Sequence, residues 1–562
     1  MKNHPVSRRE FLKASALAAG AGLTAPLWQS RLCAAGEAGS SGGASQNRTL
    51  APGPFEPSWE SLAKNYKYPD WYRDAKFGIW AHWSAQCVPE QGDWYARRMY
   101  LQGEKDYDYH VKTYGHPSKF GFMEIDNLWK AELWEPEQLM ARYKRAGAKY
   151  FFALATHHDN FDAYDSKYHD WNAVRIGPKR DIVGTWARVA RANGLRFGVS
   201  NHNSWAPRWL QPAYGYDGEG PLAGVRYDAY TLTKEDGKGK WWEGLDPQSL
   251  YIGPSVVMPD GITSAKAVRD WQTKNTSLAR SNPMPADSFC QDWFLRCQEL
   301  ADKYQPDVVY FDTNELPLGQ AGLDFASHYY NSSVARNGGA VDVVINAKHI
   351  APDHVGSFVE DIERGIAKGI RPEPWQTDTC IGDWHYSRAL AESNGYKTVN
   401  QVVGMLTDVV SKNGNLMLNI PVRGNGTIDE HEIAFLDGLA AWMAVNGEGI
   451  FATRPWKTYG EGPTQLAGRE QKAAYTSADI RFTTKAGTLY AFVLAWPESR
   501  TALIKTLASN SPQLDGRRIT DVSLLGYDGR LNWSQNDQGL SVQLPEKPPT
   551  EHAVTLRIAG AA

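Results

Sequence analysis

Asp312 closes the apolar run from Val308 to Phe311, and three similar runs end in His82, in the pair His157 and His158, and in His202. A carboxylate and several imidazoles at such positions suit nucleophilic or general acid–base catalysis. The same side chains are also a donor set for a zinc or two-metal hydrolase. Spacing argues against the metal. Neighbouring histidines point to opposite sides of a regular strand, so His157 and His158 reach one ion only through a kink. The chain carries no HExxH or HxH string, and no cofactor or metal is expected.

The runs themselves, residues 76–83, 150–159, 195–202 and 308–313, read as buried strands. Helical stretches at 135–146 and 184–193 precede the second and third. Alternating helix and apolar strand predicts parallel strands with crossover helices, and polar groups at four carboxyl ends place one pocket on the top face of a TIM-like (β/α) barrel. The barrel is expected over 58–455. It includes an amphipathic stretch at 389–412 that leads into a strand at 415–420. Between 206 and 286 the rhythm fails in favour of Gly, Pro, Tyr and Trp, which predicts a long functional loop insertion. From 456 to 562 short alternating strands predict a C-terminal β-sandwich domain.

The amino end reads as a targeting segment. Ser7, Arg8, Arg9, Glu10, Phe11, Leu12 and Lys13 form a twin-arginine signature, followed by a short apolar stretch. Residues 1–35 are therefore expected to be a signal peptide and 36–57 a flexible Gly/Ser/Ala-rich leader. The mature protein is expected in the periplasm or secreted, without an integral membrane segment. Loss of residues 1–35 takes the formal net charge from −3 to about −7, a mildly acidic balance that argues against nucleic acid as a partner. Of the cysteines, Cys290 and Cys297 lie too far apart along a helix to bond each other.

Several strings together resemble glycoside hydrolase family 29, the α-L-fucosidases. They are Gly78 to Trp83, Gly92 to Tyr95 with Arg98 to Tyr100, Thr156 to Asp159, Tyr310 to Asp312, Ser411 to Ile420, and Val445 to Phe451 before Arg454 to Trp456. The resemblance runs from about residue 58 to 456 in the family's order. It implies a retaining exo-glycosidase that removes terminal α-L-fucosyl residues from glycans through a covalent intermediate. Asp312 then matches the nucleophile, and Glu363 lines up best with the acid/base, with Glu360 and Asp361 as rivals. It further implies that His82, His157 and His158 bond sugar hydroxyls and that Trp83 walls the sugar's methyl group. Trp94, Tyr310, His202 and Trp384 complete the expected pocket. Asp93 stands where relatives carry Glu, and Lys348 where they often carry Arg, which removes a bidentate fork. These departures, with the long insertion, admit an α-L-galactoside or a modified fucoside as substrate.

Overall fold

Eight parallel strands close on themselves: β1 (Phe77–Ala81), β2 (Tyr150–Thr156), β3 (Arg196–Asn201), β4 (Val308–Asn314), β5 (Val344–Lys348), β6 (Val359–Asp361), β7 (Trp375–Cys380) and β8 (Gly414–Asn419). In this computed structural model, which describes residues 48–277, 284–469 and 474–562, β8 pairs back onto β1 and completes the expected barrel. Helices cover the outside, so β1 and β2 are buried on both faces and read as near-continuous apolar runs rather than alternating. Trp80, Tyr150, Phe152, Val308, Tyr310 and Met417 fill the interior. Gly198 leaves room for this filling, since a Cβ there would stand 2.9 Å from the Phe152 ring.

The crossover helices start at clear signals. Thr398 and Gln401 form a capping box before Val399–Ser411, and Asp429 with Glu432 forms another before Glu430–Asn446. The insertion expected at 206–286 is not a bare loop. Its described part folds into short helices, among them Ala206–Trp209, Pro247–Tyr251 and Ala265–Asn275, around the buried Asp228. That carboxyl accepts from the hydroxyls of Tyr100 and Tyr251, and burial pushes it up to about 7.

The expected signal peptide and most of the leader lie outside the described residues. The end of the leader is not free. Arg48 bonds Asp324 at 2.8 Å, and Asn331 holds the backbone of Ala51 and Phe55. Phe55 is buried, which fixes this stretch to helix Gln320–Arg336.

From Arg454 the chain forms two antiparallel sheets. One has five strands, β9 (Arg454–Glu461), β10 (Ile480–Lys485), β11 (Thr488–Val493), β13 (Asp521–Leu524) and β16 (Val554–Ala559). The other has three, β12 (Thr501–Ile504), β14 (Asn532–Asn536) and β15 (Gly539–Gln543). Their inner faces share one apolar core. Polar contacts lock these sheets to the barrel: Trp442 Nε1 donates to the Ala553 carbonyl at 2.7 Å, and Asp408 accepts from both Arg481 and Lys412 in a buried triad. No helix among the described residues is long and apolar enough to cross a membrane. Cys87, Cys290, Cys297 and Cys380 are free.

Lys76, at the foot of β1, is 1 % exposed with φ of 60°. Burial, with Arg454 and Arg73 adding to it, lowers its ammonium from 10.5 to about 7. Below pH 7 the fold carries the full cost of a buried charge. Between pH 7 and 10.5 the unfolded chain binds a proton that the folded one does not, so stability rises with pH there. Lys76→Met should therefore stabilise the fold at pH 6 by about 5 kcal/mol, with the gain shrinking toward pH 10 across a series of thermal melts.

Candidate active site

The top of the barrel encloses a cavity of about 260 Å³. Asp312, near the end of β4, reaches into it beside Tyr310, two residues earlier on the same face. The β4–β5 register shifts between Phe311 and Asn314, which brings Lys348 at the end of β5 level with this terminus. Lys348 Nζ bonds Asp312 Oδ1, while Oδ2 lies 3.2 Å from His158 Nε2 and 3.3 Å from His202 Nδ1. Burial alone would raise the Asp312 carboxyl, but Lys348 and the two imidazoles outweigh it and hold it well below the usual carboxylate range. Burial would strip Lys348 of its proton, yet the carboxyls of Asp312, Asp378 and Glu363 raise it instead. Asp312 is thus an ionised, immobilised carboxylate.

The histidines converge because β2 ends early. After Thr156 the chain turns tightly, with Asn160 at φ 65°, and Thr156 and Arg296 grip Asp162 from both sides. This turn supplies the kink that a regular strand lacks, so the rings of His157 and His158 both face the cavity with centroids 4.4 Å apart. Asp159, in the same turn, accepts from Gln86 Nε2 at 2.8 Å, and the same amide nitrogen lies 2.6 Å from His157 Nδ1. The amide must therefore donate to His157, which leaves the ring's Nε2–H free for the cavity. Burial, with the neighbouring rings, pushes His82 and His157 well below the ordinary histidine value. It also lowers His202 to about 4 against the pull of Asp312. At neutral pH these three rings are uncharged; His157, whose Nδ1 is taken by Gln86, offers its Nε2–H, and His202, whose Nδ1 faces Asp312, offers Nε2 as an acceptor.

Three acids compete for the partner role, and geometry separates them. Glu360 faces Arg371 at 2.6 Å, away from the cavity, and Asp361 points inward beneath it to Gln376 at 2.9 Å. Glu363 lines the cavity, with Oε2 3.0 Å from Lys348 Nζ. One ammonium thus touches both Asp312 and Glu363. Their nearest oxygens can be no further apart than two hydrogen-bond lengths, roughly 6 Å. The loop bearing Glu363 has a second anchor. Ile366 and Gly468 exchange backbone bonds of 2.8 and 2.9 Å, and Arg481 and Asp479 from the β10 region hold Thr464 just before Gly468. This connection also puts Arg469 at 3.7 Å from Glu363.

Trp83 does not wall the cavity. It follows His82 and so points to the opposite face, where its ring packs on Trp129 and Trp134 and its Nε1 donates to the Arg423 carbonyl. Trp80, two residues before His82, takes the inner position instead, and Trp384 stands 5.6 Å from it by ring centroids. Asp93 and Trp94 reach the rim from the connection after β1. The Asp93 carboxylate is retracted onto His385 Nδ1 at 2.7 Å, and His385 Nε2 rests 3.0 Å from Ser84 Oγ. Sequence reasoning also missed Gln86 and Asn419. Asn419 accepts from the His82 amide and donates to the Trp384 carbonyl, joining the first and last barrel strands to the rim. Period-two alternation was signal enough for Trp80; nothing local marks Gln86.

Two clusters have spacings compatible with an ion, His82–Asp93–His157–His385 and His157–His158–His202, with donor atoms within 4.8 Å of one another. Several of their nitrogens already have partners. His158 faces the His202 carbonyl with Nδ1 and Asp312 with Nε2, His385 is engaged at both nitrogens, and His157 accepts from Gln86.

A closed barrel that gathers two carboxyls bridged by an ammonium, neutral imidazoles and indole faces has the design of a glycoside hydrolase. A family profile described as alpha-L-fucosidase matches residues 43–448, and one described as alpha-L-fucosidase C-terminal domain matches 471–559. The chain belongs to the α-L-fucosidase family. Mouse tissue alpha-L-fucosidase is 25% identical over 523 residues, covering 91% of this chain and 95% of the mouse protein. An alpha-L-fucosidase from Branchiostoma floridae is 27% identical, covering 90% and 96%. Among solved structures, Thermotoga maritima alpha-fucosidase in complex with fucose superposes with a TM-score of 0.63 at 26% identity, covering 90% of this chain and 99% of that one.

The two indoles predict different outcomes. Trp384→Ala should raise KM about 10-fold with Tm little changed. Trp83→Ala should leave KM alone and cost ~3–5 kcal/mol of stability, read by denaturant titration beside steady-state kinetics.

Proposed function

We propose that this enzyme is a retaining exo-glycosidase that releases terminal α-L-fucosyl residues from glycans through a covalent glycosyl-enzyme. The observation that carries this reading is the single ammonium shared by Asp312 and Glu363. It limits their separation to roughly 6 Å, which favours the ~5–5.5 Å spacing of retaining enzymes over the ~6.5–9.5 Å that an inverting enzyme needs for its water. Asp312, kept ionised, attacks the anomeric carbon while Glu363 protonates the departing oxygen; Glu363 then takes a proton from the water that hydrolyses the ester. The cavity of about 260 Å³ lies below the ~300–1,000 Å³ typical of drug-sized ligand sites, which suits one sugar ring and hence exo action. Neutral His82, His157 and His202 address hydroxyls, and Trp80 and Trp384 offer apolar faces.

Asp93 supports a second reading of the sugar. Its short carboxylate, held by His385, leaves space at the rim for an added hydroxyl, so an α-L-galactoside or a modified fucoside fits the same mechanism. The twin-arginine signature supports export to the periplasm or beyond as the place of action.

Asp312→Gly should abolish turnover of a chromogenic α-L-fucoside, and added azide should restore it with a glycosyl azide of inverted configuration. Full activity in that variant would remove Asp312 from the mechanism. Glu363→Ala should lose about 10²–10⁴-fold on a fucoside with a poor leaving group, while Glu360→Ala stays within a few-fold of wild type. EDTA should leave activity unchanged; loss that zinc restores would sink the two-carboxyl account in favour of a metal-dependent hydrolase.

A further inference from the structure

The Asp312 carboxylate bonds Lys348 through one oxygen and faces His158 and His202 with the other. Such contacts are strongest to an ionised carboxylate. The backbone of the same residue has an anchor of a different kind. Strand β3 pairs with β4 only as far as Asn201 against Phe311, one residue short of Asp312. On the other side, the pairing of β4 with β5 shifts between Phe311 and Asn314, across the nucleophile. There the indole of Trp205, four residues past Asn201, donates its Nε1–H to the Asp312 carbonyl at 2.7 Å. A side chain continues the ladder where strand β3 stops.

Trp205 is itself fixed. It ends the short turn Asn203–Trp205 and leads directly into helix Ala206–Trp209, the first of the insertion. The Arg97 guanidinium donates to the carbonyls of Arg208, at 3.2 Å, and Trp209, and to Thr276 Oγ1 at 2.8 Å. One side chain thus clamps the start of the insertion to its far end, with Trp205 at the clamped edge. The half-buried indole also lines the cavity alongside Asp312. We propose that Trp205 is a positioning residue for the nucleophile, tying the β4 terminus to the insertion by a bond that does not depend on the carboxylate's charge. This inference rests on the glycosidase reading above. In the first step an Asp312 oxygen bonds the anomeric carbon, the leaving oxygen takes the electron pair of the bond that breaks, and the carboxylate becomes a neutral ester. In the second, water bonds the anomeric carbon and loses a proton, and the carboxylate regains its charge. Contacts to that charge weaken between the two steps, while the indole keeps the Asp312 peptide in place throughout. A shift of about 1 Å at a reacting group can cost ~10²-fold in rate.

Trp205→Phe keeps an aromatic face in the cavity and removes the N–H. On a chromogenic α-L-fucoside it should lower kcat by about 5-fold or more and leave KM within about 3-fold of wild type. The same substitution in an Asp312→Gly background separates positioning from damage to the pocket, because azide attacks there without any Asp312 side chain. Adding Trp205→Phe to Asp312→Gly should leave the azide-rescued rate within about 2-fold. If Trp205→Phe does not fold, Trp205→benzothienylalanine, which exchanges the N–H for sulfur at nearly the same size, reads the same comparison. A smaller fall in kcat, a KM outside that range, or an azide-rescued rate that drops further with the second substitution would overturn the proposal while the glycosidase reading stands. A wild type inert toward the fucoside, or an Asp312→Gly enzyme that azide fails to rescue, would overturn the reading of Asp312 as a glycosidase nucleophile, and the proposal with it.

Discussion

The Lys348 ammonium holds the catalytic face together, because it lies between Asp312 and Glu363 and bonds both. Without it, two carboxyls would face each other in a poorly solvated cleft, and like charges so placed drive one of them neutral. With it, one carboxyl stays ionised and the other stays within reach. The ammonium in turn depends on backbone register. The shift between Phe311 and Asn314 sets β5 so that Lys348 ends opposite the β4 terminus. A slip of β5 by one residue would turn Lys348 to the helical layer and away from Asp312.

Around this charged axis the imidazoles behave as neutral polar walls. Burial is the cause for His82, His157 and His202, and the gain is versatility, since an uncharged ring both gives and accepts a hydrogen bond. Their orientation depends on groups that never line the cavity. Asp162 with Arg296 shapes the turn after β2, and Asp159 with Gln86 sets the His157 tautomer. The cavity is thus as precise as the buried acids behind it.

The barrel was legible in the sequence because its signal is local: apolar runs ending in polar groups, separated by helical spacing. Asp312, the four histidines and the C-terminal sheets follow from such patterns. Choosing among Glu360, Asp361 and Glu363 does not, since three acids within four residues differ only in which way a short strand and its loop turn them. Trp83 was misplaced although alternation from His82 points to Trp80. The convergence of His157 and His158 required a turn stabilised by Arg296, more than a hundred residues away, and Gln86 acquires its role from the same distant partners. The leader's last ten residues look like a linker by composition, yet Asn331 gives their backbone a docking edge.

The bridge between Ile366 and Gly468 joins the loop that carries Glu363 to chain leading into the C-terminal sheets. A ribosome makes the barrel first and those sheets last. Until they dock, the nascent barrel can assemble the Asp312 half of its site, but the loop opposite lacks one edge. A barrel cut free of its sheets would therefore keep a pocket with one side unfastened.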